Sequence, residues 1–108
     1  MLKSAVEINK IAFKTARFLS AYIKIKRAYL FGSYACGKPH KYSDIDLAFF
    51  SPTVERMGIE RKMTILSIIQ EKVGSGVEIH LYPEKCLKEA RPTNFYGYIL
   101  KTGKRILQ

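Results

Sequence analysis

The stretch that decides the reading is GSYACGKPHKYSDIDL, from Gly32 to Leu47. It opens on Gly-Ser directly after Arg27 to Phe31, a short aromatic and aliphatic run that reads as a strand ended by the glycine. It closes on Asp-Ile-Asp, the start of a second strand from Asp44 to Phe50, in which Asp44, Asp46 and Ala48 alternate with Ile45, Leu47 and Phe49. Side chains two apart on a strand share a face, so Asp44 and Asp46 are expected to project together, away from the apolar set. Between the two strands, Ser33 to Asp44 leaves room for a short helical or turn segment closed by Gly37 and Pro39.

Working outward, apolar residues recur in steps of three and four at Ala5, Ile8, Ile11, Ala12, Ala16, Leu19 and Ile23, which predicts an amphipathic helix from about Ser4 to Lys24. Its other side carries Lys3, Lys10, Lys14, Arg17 and Lys24, a basic stripe whose plainest reading is a solvated face and whose sharper one is a docking surface. Ser51-Pro52 reads as an N-cap and first helical residue, predicting a helix to about Val73 with Ile59, Met63, Leu66, Ile69 and Val73 inward. Val77 to Tyr82 alternates again, with Val77, Ile79 and Leu81 on one face and Glu78, His80 and Tyr82 on the other, and Pro83 stops it. A last helix from about Thr93 to Thr102 and a short Arg105 to Leu107 run complete the chain. The expectation is an α/β (α+β) fold in a single domain, residues 1–108: one small mixed sheet with helices mainly on one face.

The chain has 108 residues, 47% of them apolar and 26% charged, a globular composition that argues against disorder, collagen and coiled coil. No apolar stretch approaches ~20 residues, so no membrane span is expected, and the charged opening does not resemble a secretory leader. Two cysteines, Cys36 and Cys86, are too few for a disulfide framework, so a reducing, cytoplasmic setting is the default expectation. Nineteen Lys and Arg against nine Asp and Glu give a net charge of +10, a surface that attracts nucleotide phosphates, nucleic acid, an acidic partner or an anionic membrane.

Against that basic background the carboxylates carry the chemistry. If the strands bearing Asp44, Asp46 and Glu78 are neighbours, three acids converge on one sheet face and repel unless a cation lies among them. Hard oxygen ligands of this kind suit Mg²⁺ or Mn²⁺ together with substrate phosphates. Gly32-Ser33 supplies a complementary half, because glycine lets backbone approach a ligand closely and serine adds a hydroxyl at a helix or turn start. Each piece alone is unremarkable as a turn or a solvated face; the combination at this spacing is what points to a phosphate and metal site. Elsewhere the plain readings prevail. His80 reads as an edge histidine, His40 and Lys41 as exposed loop residues, and Cys36 as an unactivated thiol. Phe95, Tyr96 and Tyr98 read as packing or a partner interface rather than base stacking.

The Gly32–Leu47 stretch, with the Glu78 strand and the closing LKTGKRIL, resembles the polymerase β-like nucleotidyltransferase superfamily, and within it the minimal nucleotidyltransferase (MNT) domains of the MntA-like group. The resemblance covers nearly the whole chain and implies the nucleotidyltransferase fold. It implies that Gly32 and Ser33 bind a nucleoside triphosphate, that Asp44 and Asp46 hold Mg²⁺, and that Glu78 completes the metal site and helps activate an acceptor hydroxyl. Cys36 stands where the family commonly has arginine, and Glu78 where it commonly has aspartate. The implied activity is transfer of a nucleoside monophosphate, AMP from ATP, to a hydroxyl. The implied partner is a HEPN-type toxin silenced by the modification. Two alternatives stay open: a non-catalytic antitoxin acting by contact, and an RNA or nucleic-acid nucleotidyltransferase, the latter ranked last for want of an RNA-binding motif. A homodimer is likewise left open.

Overall fold

The computed structural model describes residues 3–39 and 43–106. Its first helix, α1 (Ala5–Leu19), starts at a reciprocal cap: the Ser4 hydroxyl accepts from the Glu7 backbone N–H at 3.2 Å, and the Ser4 N–H donates to the Glu7 carboxylate at 3.1 Å. The helix ends five residues short of the expected Lys24. At Ser20 the hydroxyl donates to the Arg17 carbonyl at 2.8 Å, and the following N–H groups of Ala21 and Tyr22 turn back three residues to Phe18 and Leu19. Serine competes with the helix ladder in this way, and the chain tightens and leaves the helix axis. Ile23, predicted as a helical core residue, is still buried, but from the connector.

Strand β1 (Arg27–Phe31) falls where the sequence predicts it. Strand β2 (Ile45–Ser51) starts one residue later than expected, leaving Asp44 just outside it. The predicted helix from Ser51-Pro52 is corrected in two ways. Ser51 is the last residue of β2, fully buried, and its hydroxyl accepts from the Thr53 N–H at 3.1 Å, so it caps a turn rather than a long helix. A single 3₁₀ turn, Val54–Arg56, then buries Val54, and the chain opens at Met57 and Gly58 into extended backbone before α2 (Ile59–Val73) begins. The buried face of α2 is centred on Ile65 and Ile69, one turn apart, with Leu66, Ile68 and Val73 half-buried. Ile59 and Met63, predicted inward, are exposed: at ~3.6 residues per turn they lie roughly 100° and 140° around the helix from the Ile65–Ile69 line.

After α2, Gly74 turns the chain at φ +94°, and the Gln70 side chain donates to the Gly74 and Val77 carbonyls, fastening the turn into β3 (Val77–Pro83). A 3₁₀ segment, Glu84–Leu87, leads to α3 (Phe95–Thr102), which starts two residues later than predicted because the Asn94 side chain is its cap, accepting from the Gly97 N–H at 2.9 Å. The closing run forms β4 (Lys104–Arg105); Leu107, like His40 and Lys41, lies outside the described residues.

The sheet order is β3-β2-β1-β4. Strand β1 is antiparallel to both β2 and β4, whereas β2 and β3 run parallel, joined by the α2 crossover. The mixed sheet of the expected fold is therefore present. Helices α1 and α2 cover one face over a core that includes Leu19, Ile45, Leu47, Phe49, Ile69 and Leu81. Helix α3 covers part of the other face over Tyr29, Phe31, Ala48, Phe50, Cys86 and Ile99. Because β2 is sandwiched between both layers, its odd residues enter the larger core. Its even ones face the side where polar groups stay reachable.

Candidate active site

The parallel register sets Asp46 directly beside Glu78 and Ala48 beside His80. Period-two alternation then sends Asp46, Glu78 and His80 to the α3 side of the sheet. One ligand atom from each of these three side chains lies within 4.8 Å of the other two. His80 Nε2 is 3.4 Å from a Glu78 carboxylate oxygen, and its Nδ1 is 3.3 Å from the Tyr82 hydroxyl. The ring is also packed edge-on to Phe31, with centroids 5.2 Å apart. Glu78 reaches outward, its side chain 55% exposed, while Asp46 is half-buried.

The electrostatics follow from that placement. The Asp46 carboxyl is pushed up from its ordinary value of 3.8 to about 6, first by burial, then by a hydrogen bond with Glu78 and by the negative charges of Glu78 and Asp44. The Asp46 carboxyl is thus protonated in mildly acidic solution. His80 is shifted the other way: burial lowers its pKa and outweighs the pull of the Glu78 carboxylate, keeping the ring neutral at pH 7.

Gly32 ends β1 with φ +76°, and a Cβ built there would collide with the Asp46 carboxylate. The left-handed backbone favours glycine at this position, and any Cβ would have to displace the Asp46 carboxylate. The Gly32 carbonyl accepts from the N–H groups of Ala35 and Cys36, and Lys38 N–H returns to the Ser33 carbonyl, so the segment is a compact series of turns rather than a helix. Tyr34 pins that loop to the larger core, its hydroxyl accepting from the Lys3 N–H. Cys36 sits at the exposed edge.

The structure therefore brings Gly32 against Asp46, and Asp46 against Glu78. Asp44 is exposed, acts on Asp46 through its charge, and is not one of the three mutually close ligand groups; His80 is. The sequence places His80 on the Glu78 face but gives no sign that β2 and β3 pair in the register that makes it a near neighbour of Asp46. Phe95 is the other residue that sequence reasoning undervalues. It is 47% exposed, yet its ring packs against Phe31, His80 and Tyr82, forming a half-open aromatic wall beside the acids. The donor set fits a hard divalent cation: two carboxylates side by side, a third nearby, and a neutral imidazole.

The family described as "Polymerase beta, Nucleotidyltransferase" matches residues 14–108. The chain belongs to this family, whose members are nucleotidyltransferases. The fold recurs in a crystal structure of a toxin–antitoxin with AMP-PNP, at 23% identity and a TM-score of 0.63 over 89% of this chain and 72% of that one. It recurs in a Sulfolobus solfataricus protein assigned as a nucleotidyltransferase, at 23% identity and a TM-score of 0.60 over 97% and 87%. A mutant of the toxin–antitoxin MntA-HpeT gives 21% identity and a TM-score of 0.58 over 93% and 72%. No curated protein matches. No helix among the described residues is long and apolar enough to cross a membrane.

Proposed function

We propose that this chain is a Mg²⁺-dependent nucleotidyltransferase that moves AMP from ATP to a hydroxyl on a HEPN-type protein toxin, acting as its antitoxin. The observation that carries the reading is the side-by-side pairing of Asp46 and Glu78 against Gly32. In this reading Asp46 and Glu78, with Asp44 at the mouth, hold the cation, and Gly32-Ser33 lie along the triphosphate. A bound Mg²⁺ supplies charge neutralisation for the departing pyrophosphate. The acceptor oxygen forms a bond to the α-phosphorus as the bond to the bridging oxygen of the β-phosphate breaks, and pyrophosphate leaves. The acceptor's proton passes to a carboxylate oxygen, for which Glu78, beside Asp46 and open to solvent, is the fitted group. That an AMP-PNP complex and MntA-HpeT share the fold supports a nucleotide substrate and a toxin partner.

The test is transfer of label from α-³²P-ATP to a co-expressed HEPN-type partner with Mg²⁺ present. Label on the partner that disappears in Asp44→Asn/Asp46→Asn is expected. A partner that binds and is neutralised without label, equally well by the double variant, overturns catalysis in favour of contact alone.

A further inference from the structure

The solvent side of α1 is not uniformly polar. A groove of about 1460 Å³ runs between it and the following connector, whose Lys24 N–H is tied to the Thr53 hydroxyl at 3.0 Å. Val6, Phe13 and Tyr22 line it and are exposed, Val6 by 64% and Phe13 by 55%. Lys10, Lys14, Arg17 and Lys24 also line it, and no acidic side chain is among the described residues that do. Apolar groups left this open beside the cations on the outer side of α1 mark an interaction surface. The groove is formed by α1 and its connector, whereas Asp46 and Glu78 lie on the face of the sheet opposite the one α1 covers.

We propose that this groove docks an acidic amphipathic helix of a partner protein, its apolar ridge on Val6, Phe13 and Tyr22 and its flanking carboxylates against Lys10, Lys14, Arg17 and Lys24. Charge complementarity selects this occupant. A second copy of a chain of net charge +10 would oppose cation to cation. A membrane-bound helix presents its main apolar face to lipid, but here that face, Ile8, Ala12 and Leu19, is buried in the chain's own core. An open apolar strip flanked by cations fits the apolar ridge and acidic flanks of a helix.

The probe is a synthetic helical peptide with leucines at i, i+3, i+4 and i+7 and flanking glutamates, compared with the same apolar sequence flanked by lysines. Fluorescence anisotropy at low salt is expected to show the glutamate peptide binding at least about tenfold more tightly than the lysine one, with the gap closing as salt screens the rim. Lys10→Glu/Lys14→Glu/Arg17→Glu should reverse the preference, a gain that misfolding cannot imitate, while Phe13→Ser should weaken both peptides. Circular dichroism checks that each variant is folded. No preference between peptides, or a preference the triple variant leaves unchanged, overturns the proposal. So does tighter binding to phosphatidylserine vesicles or to single-stranded RNA than to the glutamate peptide, or Phe13-dependent dimerisation in sedimentation.

Discussion

Replacing Gly32 by alanine separates the two demands made on that residue. Gly32 and Gly37 have nearly the same backbone conformation, φ +76° and +73°, but only at Gly32 does a Cβ meet anything: the Asp46 carboxylate. Alanine in this left-handed region costs about 1–2 kcal/mol, so Gly37→Ala is expected to lose that much stability and nothing else. Gly32→Ala loses the same amount and must also swing the Asp46 carboxylate off its present rotamer, a further cost of roughly 0.5–1.5 kcal/mol. The total of about 1.5–3.5 kcal/mol is readable by urea denaturation, and at ~4–8 °C per kcal/mol it is also visible as a fall in Tm. The carboxylate is the movable partner, so the larger consequence is functional: Gly32→Ala should lose Mn²⁺ binding, followed by electron paramagnetic resonance, while Gly37→Ala keeps it. In a Gly32→Ala/Asp46→Ala cycle the extra cost of the first change should vanish, because the colliding group is gone. Equal stability losses at the two glycines, with Mn²⁺ binding intact in Gly32→Ala, would refute the reasoning.

The Asp46 pKa of about 6 sets a pH dependence of definite sign. The folded state holds the proton that the unfolded chain has already released, so stability falls as pH rises from about 4 to 6, by about 1 kcal/mol once solvent screening at this half-exposed group is discounted. Asp46→Asn should flatten that slope in denaturation curves. Mn²⁺ affinity should run the other way, weakening about tenfold per pH unit below 6 as the proton competes for the site, whereas loss of affinity on raising the pH would contradict the assignment. Ile69→Ala should cost about 2–5 kcal/mol in urea unfolding and Met63→Ala under about 0.5, the reverse order meaning that the buried face of α2 has been misassigned. Ser4→Ala should remove about 1 kcal/mol through loss of the cap and leave Mn²⁺ binding untouched.

Strand positions and facing were legible because they rest on local rules. Alternation in Asp44 to Phe50 and Val77 to Tyr82 needs only the pleat, and it sent Asp46 and Glu78 to one side before any pairing was known. Helix limits were less legible, since they depend on competing hydrogen bonds. Ser51 carries a cap signal that the structure uses for a turn, and the Met57–Gly58 opening has no apolar signature. For α2 the expected stripe was right at Leu66, Ile69 and Val73, but it extended to the exposed Ile59 and Met63 and passed over Ile65, because apolar residues lie on more than one side of this helix. What no local rule supplies is register. The neighbourhood of His80 and Asp46 depends on a parallel pairing between strands separated by a whole helix, and the aromatic wall at Phe95 depends on where α3 returns.

The parallel pairing of β2 and β3 has a bearing on how the molecule comes into being. Gly32 and Asp46 meet across adjacent antiparallel strands, a contact that a short loop can close early. Glu78 arrives only after the α2 crossover has folded back, the kind of distant pairing that is slow in the search for the native state. That step also forces two acids together, so its own charges resist it until a proton or a cation intervenes. A nascent or half-folded chain therefore carries the glycine turn with Asp44 and Asp46 but lacks the Glu78 carboxylate that pairs with Asp46. The three acids are assembled only when that long-range closure is made, and the ambient acidity helps to set how quickly it is made.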